Sequence, residues 1–377
     1  MFRKILIANR GEIAIRIMRA CTEMNIGTVG VYSTADKDSL HVKFADETIC
    51  IGPSQAGESY LKMDALITAA KAMGCDALHP GYGFLSENPE FVRRCNKAGI
   101  VFIGPTAEAM DILGNKIKAK RLVKETGVPI VPGSDGSVNS YEELERIAKE
   151  IGYPVIIKAS AGGGGRGMRS VFAESDLRRL YEEARSEAKA CFGNDEIYLE
   201  KLITDPRHIE VQILADEHGH VIHLGERDCS IQRKNQKLIE ESPGLFISDD
   251  IRNAMREAAV KISKAAGYTN AGTIEFLLDN KEKFYFIEMN TRIQQEHGVT
   301  EMVTGVDLVQ EQIRLAHHGV LNLKQEDVKI SGYAIECRIN AEDPTRNFLP
   351  NSGKVSFLQL PGGPGVRVDT MLYDGYE

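Results

Sequence analysis

Apolar runs and amphipathic stretches alternate along the first hundred residues of the chain. The run KILIAN (4–9) predicts a buried strand, and the stretch after it spaces Ile13, Ile17 and Cys21 along one face of a helix. Further strands are predicted for GTVGVYS, DALHP and IVFIG, and further helices for MDALITAAKAMG and FVRRCNKAG. Repeated strand–helix–strand order is typical of a parallel, doubly wound sheet. We therefore expect an α/β unit at the N-terminus.

The pattern changes after this unit. Residues 106–127 have helical periodicity and a basic face, which usually means a solvated surface. The lysines of this stretch are Lys116, Lys118, Lys120 and Lys124. A Pro/Gly-rich joint (128–136) leads into a small unit that ends near residue 203. From residue 204 onward HIEVQILAD, VIHLGERDCS, TIEFLLD, KFYFIEMN and GYAIECRIN predict an antiparallel sheet with polar residues on one face.

Residues 159–170, ASAGGGGRGMRS, combine four consecutive glycines with two arginines. The β-branched run that ends in Lys158 and the alternating MRSVFA after the glycines predict the two strands of a hairpin. The Gly-Lys-Ser/Thr of a Walker loop is absent from the stretch. A hairpin tip of this composition can close its amides and cations over an anion. The alternative is a flexible turn without a ligand.

Composition narrows the classes of function. Among 377 residues, 46 basic and 54 acidic side chains give a net charge of −8, which argues against general binding to nucleic acid or an anionic membrane. Seven scattered cysteines without a CxxC pair indicate reduced thiols. No stretch has transmembrane length, and MFRKILIANR carries charge where a signal peptide needs an apolar core. We expect a cytoplasmic, globular protein of several domains.

Two predicted strands, AGTIEFLLDN and KFYFIEMNTR, carry acidic residues and are joined by a short charged turn. Alternation puts Glu288 and Asn290 on one face of the second strand, beside Glu275 of the first. Two carboxylates and an amide oxygen suit Mg²⁺ or Mn²⁺ that bridges nucleotide phosphates. A hairpin with acids facing water is the alternative, but the apolar neighbours of Glu288 indicate a buried strand, in which acids need partners.

Cations and amides cluster in two further loops. TRIQQEHGVTE contains Arg292, Gln294 and Glu296, and IQRKNQK contains Gln232 and Lys237. Such groups hold a small planar oxyanion, to which arginine donates paired hydrogen bonds. The carboxylate Glu296 has no role in passive anion binding, but it fits a base that removes a proton from the bound species. Together with the glycine hairpin, these clusters predict ATP, a metal ion and a small oxyanion in one cleft.

Several motifs then identify a family. KILIANRGEIAIRI, HPGYGFLSEN, GYPVIIKASAGGGGRGMR, LGERDCSIQR, FIEMNTRIQ and ECRINAEDP closely resemble biotin carboxylase, the ATP-grasp component of biotin-dependent carboxylases. The resemblance extends from residue 3 to about 377. It implies a mixed α/β and α+β fold in three parts. These are a Rossmann-like N-terminal domain (1–113), linker helices with an ATP-grasp lid (114–203), and an incomplete C-terminal ATP-grasp domain (204–377).

The resemblance also implies a role for individual residues. The implied ATP-binding residues are Lys116, Lys158, Gly163, Gly164, Gly165, Glu200, Lys201, His208 and Gln232, with Glu200 and Lys201 on the adenine side. The implied metal ligands are Glu275, Glu288 and Asn290. The implied bicarbonate and biotin site comprises Tyr82, Lys237, Arg292, Gln294, Gln295, Glu296 and Arg338. Of these, Lys237, Arg292, Glu296 and Arg338 are expected to be catalytic, with Glu296 as the base and Arg338 stabilising the biotin enolate.

The implied reaction is the carboxylation of biotin on a carrier protein. Glu296 deprotonates bicarbonate, bicarbonate attacks the γ-phosphate of ATP, and the resulting carboxyphosphate supplies CO₂ to biotin. The expected cofactors are ATP and Mg²⁺ or Mn²⁺, with biotin as the carboxyl acceptor. The expected partners are a biotin carboxyl carrier protein and a carboxyltransferase, as in acetyl-CoA carboxylase of fatty acid biosynthesis. A homodimer is also expected from the family. Neither a nucleic acid nor a membrane is expected as a partner.

The sequence departs from the family pattern in one loop. Gln295 stands where the family usually has a valine whose backbone amide contacts bicarbonate, and Gly298 stands where it usually has a proline. Glycine is expected to loosen the loop that holds Glu296. The family also continues beyond the length of this chain. Two alternatives stay open: another ATP-grasp ligase, against which Arg338 and Lys237 count, and a non-catalytic or weakly active nucleotide-binding module.

Overall fold

A computed structural model of the chain describes residues 1–159 and 168–377. Its N-terminal part is a five-stranded parallel sheet in the order β3-β2-β1-β4-β5. The strands are β1 (Lys4–Ile7), β2 (Gly27–Ser33), β3 (Glu47–Gly52), β4 (Ala77–His79) and β5 (Val101–Phe102). The helices are α1 (Gly11–Glu23), α2 (Leu40–Phe44), α3 (Met63–Ala72), α4 (Pro89–Lys97) and α5 (Ala107–Leu113). The predicted parallel sheet is confirmed, although β3 and α2 were not predicted.

Helices cover both faces of this sheet because successive strand residues point to opposite sides. Ile5 and Ile7 of β1 pack with Ile13 of α1 in one apolar core. Leu6, between them, packs on the other face with Leu66 of α3 and other residues of a second core. The doubly wound arrangement predicted from the strand–helix alternation is therefore present.

The basic helical stretch 106–127 forms two helices, α5 and α6 (Lys116–Glu125), rather than one. The break lies at Gly114 and Asn115. Asn115 starts α6 by accepting hydrogen bonds from the backbone amides of Ile117 and Lys118, both at 3.1 Å. Asparagine at this position satisfies amides that have no partner within the helix.

The small unit is built on a three-stranded antiparallel sheet in the order β7-β6-β8. Its elements are α7 (Tyr141–Ile151), β6 (Val155–Ala159), β7 (Met168–Val171), α8 (Glu174–Phe192) and β8 (Ile197–Lys201). It has its own core, in which Ile157 packs with Leu144, Leu177 and Leu199. The predicted hairpin joins β6 to β7. Its tip, including Gly163, Gly164 and Gly165, lies outside the described residues.

The remainder of the chain is organised around a six-stranded antiparallel sheet in the order β13-β12-β9-β10-β11-β14. The strands are β9 (Arg207–Ala215), β10 (Val221–Arg233), β11 (Gln236–Ser242), β12 (Asn270–Leu278), β13 (Phe284–Asn290) and β14 (Ala334–Cys337). The helices are α9 (Asp249–Ala265), α10 (His297–Thr304) and α11 (Leu308–His318), none of which was predicted. A short pair, β15 (Glu342–Asp343) and β16 (Leu349–Pro350), follows.

The two faces of the large sheet differ in character. Ile209, Val211 and Ile213 of β9 pack against α9 in an apolar core. The alternate residues of the same strand, Glu210 and Gln212, are buried and polar. The predicted polar face is confirmed, and it is the floor of the site described next. No helix among the described residues is long and apolar enough to cross a bilayer.

Candidate active site

A cavity of about 700 Å³ lies between the polar face of the large sheet, helix α6 and the three-stranded unit. Its walls contain most of the residues singled out in the sequence. These are Tyr82, Lys116, Lys158, His208, Gln232, Lys237, Glu275, Glu288, Asn290, Arg292, Gln294, Gln295, Glu296 and Arg338. Because they come from separate strands, helices and loops, only the folded chain brings them together.

Lys237 lies at the centre of a group of acids. Its ammonium group donates to Glu210 at 2.5 Å, to Glu275 at 2.8 Å and to Glu296 at 2.6 Å. Burial alone lowers the pKa of Lys237, but the charges of the three carboxylates raise it above its usual value. Lys237 is therefore a permanent cation in this cleft. The sequence predicted Lys237 and two of its acids but not Glu210.

Glu210 has a second cationic partner, Arg227, which is completely buried. The Nε–H of Arg227 donates to Glu210 at 2.5 Å. Its other nitrogen atoms donate to Gln212 at 2.8 Å, Thr300 at 2.9 Å, Thr273 at 3.1 Å and Gln294 at 2.9 Å. Burial raises the pKa of Glu210, but the charges of Arg227 and Lys237 more than offset this and lower it. Arg227 thereby ties three strands to the segment around α10.

Arg227 was not predicted as a site residue, although the sequence contains one signal for it. The residue lies inside VIHLGERDCS, a strand with apolar residues on either side. A charged residue within a buried strand requires a partner. That pattern flags Arg227 as structurally important, although it does not say which residues it contacts.

Glu296 bridges two cations. It is almost completely buried at the N-terminus of α10, and its Oε1 accepts from Lys237. Its Oε2 accepts from Nη2 of Arg338 at 2.8 Å. Arg338 follows β14 directly, and its backbone amide donates to the carbonyl of Leu238 at 3.0 Å, which extends the pairing of β14 with β11. The predicted base and the predicted biotin-site arginine are thus in direct contact.

The predicted metal ligands lie on neighbouring strands. Glu275 of β12 is paired with Glu288 of β13, and the amide of Asn290 donates to Oε1 of Glu275 at 2.8 Å. His208 lies 3.0 Å from Oε2 of Glu275. Burial and the charge of Glu275 raise the pKa of Glu288. Burial and the neighbouring charge both disfavour an ionised Glu288, and a divalent cation bound there would offset both effects, so the donor set fits Mg²⁺ or Mn²⁺.

Two lysines contact the same acid on β8 of the three-stranded unit. Lys158 of β6 donates to Glu200 of β8 at 2.5 Å, and Lys120 of α6 contacts the same carboxylate. Burial raises the pKa of Glu200, but the two lysines more than offset this and lower it. Lys120 was predicted only as part of a solvated face, which is wrong because it pairs with this buried acid.

Not every predicted site residue reaches the cavity wall. Glu200 and Lys201 lie beside the cavity rather than in its lining, and the ammonium group of Lys201 donates to the carbonyls of Gly152 and Tyr153 at 3.0 and 2.9 Å. Their adenine-side role stays a prediction. Tyr82 lines the cavity and its hydroxyl donates to Glu12, whose pKa burial raises to about 7.

The segment with the two departures from the family pattern leads into a helix. Gly298 is buried in the first turn of α10, so it lies in a helix and not in the expected loop. Whether glycine loosens the segment that holds Glu296 stays a prediction. The side chain of Gln295 accepts from Nη1 of Arg338 at 3.0 Å. Gln295 therefore makes a side-chain contact that valine cannot make. Arg292, on the same segment, donates to Asn290 at 3.0 Å and to Glu87 at 2.9 Å.

Comparison with known proteins identifies relatives along the whole chain. Three family models match: biotin carboxylase, N-terminal domain (1–110); carbamoyl-phosphate synthase L chain, ATP binding domain (115–324); and biotin carboxylase C-terminal domain (336–377). Biotin carboxylase 1 of Bacillus subtilis is 55% identical over 378 residues, covering 100% of this chain and 84% of the relative. The chloroplastic biotin carboxylase of Arabidopsis thaliana is 54% identical over 373 residues, covering 99% of this chain and 70% of the relative.

Solved structures give the same result. A biotin carboxylase from Campylobacter jejuni in complex with β-γ-ATP superposes with a TM-score of 0.95 at 52% identity, over 100% of this chain and 84% of that one. The biotin carboxylase domain dimer of Hydrogenobacter thermophilus 2-oxoglutarate carboxylase, with MgADP, ADP and bicarbonate, gives 0.94 at 52% identity, over 100% and 83% of the two chains.

Proposed function

The chain belongs to the biotin carboxylase family, and from this premise we propose how the residues of its cleft carry out the reaction. The reaction is the ATP-dependent carboxylation of biotin with bicarbonate. The observation that carries the assignment of roles is the position of Glu296, which has one carboxylate oxygen on Lys237 and the other on Arg338. Glu296 thus connects Lys237, in the proposed bicarbonate site, to Arg338, in the proposed biotin site.

In the first step Glu296 acts as the base. Bicarbonate binds among Lys237, Arg292, Gln294 and the segment at Gln295, whose cations and amides suit a planar oxyanion. Glu296 takes the proton of bicarbonate, and a bicarbonate oxygen then attacks the γ-phosphorus of ATP. The bond from the γ-phosphorus to ADP breaks as the new P–O bond forms, which gives carboxyphosphate and ADP.

ATP is assigned to the part of the cleft between α6 and the three-stranded unit. Lys116 and Lys158 face the phosphates, His208 and Gln232 line the nucleotide cleft, and Glu200 and Lys201 remain the proposed adenine-side pair. Gly163, Gly164 and Gly165 are proposed to cover the phosphates. Glu275, Glu288 and Asn290 would hold Mg²⁺ or Mn²⁺, which when bound offsets the negative charge of the phosphate oxygens. Positioning and charge neutralisation are the main requirements of phosphoryl transfer.

In the second step the carboxyl group reaches biotin. Carboxyphosphate separates into CO₂ and phosphate, and the phosphate takes the proton from the ureido nitrogen of biotin. That nitrogen forms a bond to the carbon of CO₂. Negative charge develops on the ureido oxygen, where the guanidinium of Arg338 acts as an oxyanion-hole donor. Tyr82 is assigned to the wall of the biotin pocket.

A direct assay tests this assignment. Incubation with MgATP, ¹⁴C-bicarbonate and free biotin is expected to yield acid-labile radiocarbon on biotin, together with ADP release that depends on bicarbonate. Another ATP-grasp ligase would release ADP only with a different acceptor. A nucleotide-binding module without catalysis would bind ATP but release no ADP above background.

The chain is one component of a biotin-dependent carboxylase that has other components. We infer that these are a biotin carboxyl carrier protein and a carboxyltransferase, and that the chain works as a homodimer in the cytoplasm. The division into 1–113, 114–203 and 204–377 is likewise proposed, supported by the three larger sheets, one in each part. Pull-down with a biotinylated carrier protein would test the proposed carrier partner. Sedimentation of the chain would test the proposed homodimer.

A further inference from the structure

Arg338 donates to three different side chains, one through each of its nitrogen atoms. Nη2 donates to Glu296 at 2.8 Å and Nη1 to Gln295 at 3.0 Å. Nε donates to Glu240 at 2.6 Å. Glu240 lies on β11, within the stretch QKLIEES, and its sequence pattern predicted no role for it. It is completely buried, and it is absent from the lining of the cavity.

The buried carboxylate of Glu240 is unfavourable for the stability of the fold at this position. In β11 it is paired directly with Glu336 of β14, so two acids face each other across the strands. Its Oε2 is buried and, among the described residues, has no hydrogen-bond partner. Burial raises the pKa of Glu240 while the charge of Arg338 lowers it, so the ionised carboxylate depends on that arginine. A buried acid held by one cation contributes little to stability compared with an apolar side chain.

The three contacts of Arg338 differ in what happens to them during the reaction. Glu296 loses its negative charge when it takes the proton of bicarbonate, which weakens its bond to Nη2. Gln295 is neutral throughout, and a neutral acceptor binds a guanidinium less strongly than a carboxylate does. Glu240 touches neither proposed substrate and keeps its position in β11. Its bond to Nε is therefore the contact that persists while Nη1 and Nη2 become free to meet an anion.

We propose that Glu240 is a positioning residue that fixes the plane of the Arg338 guanidinium and thereby aims Nη1 and Nη2 at the ureido oxygen of biotin. The proposal rests on the proposed function, because it needs Arg338 to act in the carboxylation of biotin. It adds a residue that lies behind the site and acts only through Arg338. A guanidinium is planar, so one strong bond at Nε restricts the orientation of both terminal nitrogens.

The test compares two isosteric changes on the same strand. Glu240→Gln keeps the shape of the side chain and removes its charge. Glu241→Gln is the matched control, because Glu241 is the next residue and contacts the hydroxyl of Tyr333 on the other face of the sheet. For Glu240→Gln we expect kcat/KM for biotin to fall by about tenfold, with KM for ATP within about twofold of the parent. For Glu241→Gln we expect both parameters to stay within about twofold.

A double-mutant cycle separates positioning from a general structural effect. If Glu240 acts through Arg338, Glu240→Gln has no further effect on biotin carboxylation in an Arg338→Met background. Glu240→Asp, which keeps the charge on a shorter side chain, is expected to recover part of the loss. ADP titration and thermal unfolding of each variant show whether it is folded.

Three results would overturn the proposal: an unchanged kcat/KM for biotin in folded Glu240→Gln, an equal loss in the Arg338→Met background, or a loss that falls on ATP binding. If the parent chain itself does not carboxylate biotin, the proposed function fails instead. The contact with Arg338 can be checked without activity. The ¹⁵Nε–H signal of Arg338 should be protected from solvent exchange in the parent and exchange faster in Glu240→Gln; equal exchange would count against the proposal.

Discussion

The ammonium group of Lys237 lies 2.6 Å from Oε1 of Glu296, and it is also within hydrogen-bond distance of Glu210 and Glu275. One cation thus holds the proposed base in place and balances an acid of the proposed metal site. In an apolar or partly buried setting, such acids would otherwise repel one another or take up protons. Lys237 therefore links the stability of the cleft to its chemistry.

Replacement of Lys237 should lower both the stability of the chain and its catalytic activity. Lys237→Met leaves three buried carboxylates without their shared partner, and we expect the free energy of unfolding to fall by about 3–5 kcal/mol. Bicarbonate-dependent ADP release should be lost. Urea denaturation and an ATPase assay measure the two effects. Lys234→Met, in the exposed turn between β10 and β11, is the control and should change neither. Normal stability of Lys237→Met would show that the acids are balanced by other groups.

Glu288 should be essential for turnover although it does not stabilise the metal-free chain. Glu288→Gln removes charge from the proposed metal site, so we expect phosphoryl transfer to fall by at least about 100-fold. Because burial and Glu275 raise the pKa of Glu288, the same change removes a repulsion, and the metal-free variant should melt at an equal or higher temperature than the parent. Scanning calorimetry with and without Mg²⁺ measures this reversal.

Glu282→Gln is the matched control for that experiment, because Glu282 is exposed in the turn of the same hairpin. It should leave both turnover and the melting temperature unchanged. A Glu288→Gln chain that turns over normally at ordinary Mg²⁺ concentrations would exclude Glu288 from the metal site.

The helical setting of Gly298 predicts a gain in stability without a gain in rate. An added Cβ at Gly298 would lie 3.2 Å from Oε2 of Glu336, the end of a side chain that can shift. Gly298→Ala should therefore raise the free energy of unfolding by about 0.4–1 kcal/mol, since alanine has fewer unfolded conformations. Bicarbonate-dependent ADP release should change less than about twofold, because the helix already sets the backbone.

Gly305 at the other end of α10 provides the contrast. Its φ is +70°, a left-handed conformation that disfavours a side chain, so Gly305→Ala should lower the free energy of unfolding by about 1 kcal/mol. If Gly298→Ala instead raises the rate severalfold, the segment that holds Glu296 is looser in solution than its helical conformation indicates.

Stability should decrease with acid partly because of His79. This side chain is completely buried in the N-terminal part, and burial lowers its pKa to about 3 from the usual 6.5. Below pH 6.5 the unfolded chain binds a proton that the folded chain does not, so stability falls with decreasing pH. The loss approaches about 1.4 kcal/mol per pH unit until the pH reaches the folded pKa.

The variant His79→Asn isolates this contribution, because the asparagine oxygen can replace Nδ1 as the acceptor for the amide of Gly81. Denaturation between pH 7 and pH 5 should show a weaker pH dependence for His79→Asn than for the parent. His218→Asn, at an exposed position, should behave like the parent. Parallel curves for all three chains would mean that His79 is not the group responsible.

Local patterns in the sequence were enough to predict the two main sheets. Strand–helix alternation predicted the parallel sheet, and period-two alternation predicted the polar face that carries Glu275, Glu288 and Asn290. These patterns succeed because burial of one face depends on the spacing of residues a few positions apart. Helices α7 to α11 were not predicted, although each of them buries apolar residues at helical spacing.

The motifs by themselves determined the family and the residues of the cleft, whereas only the tertiary structure decided which charges meet. Arg227 and Glu240 stand in ordinary strand patterns, and nothing nearby in the sequence indicates that they reach Glu210 and Arg338. Glu240 is 98 residues from Arg338, and Arg227 also contacts Thr300, which is 73 residues away in the sequence. A polar contact depends on distance and burial in three dimensions rather than on spacing in sequence. The sequence determines that such charges need partners, and the pairing of strands in the large sheet, together with its packing against α10, selects them.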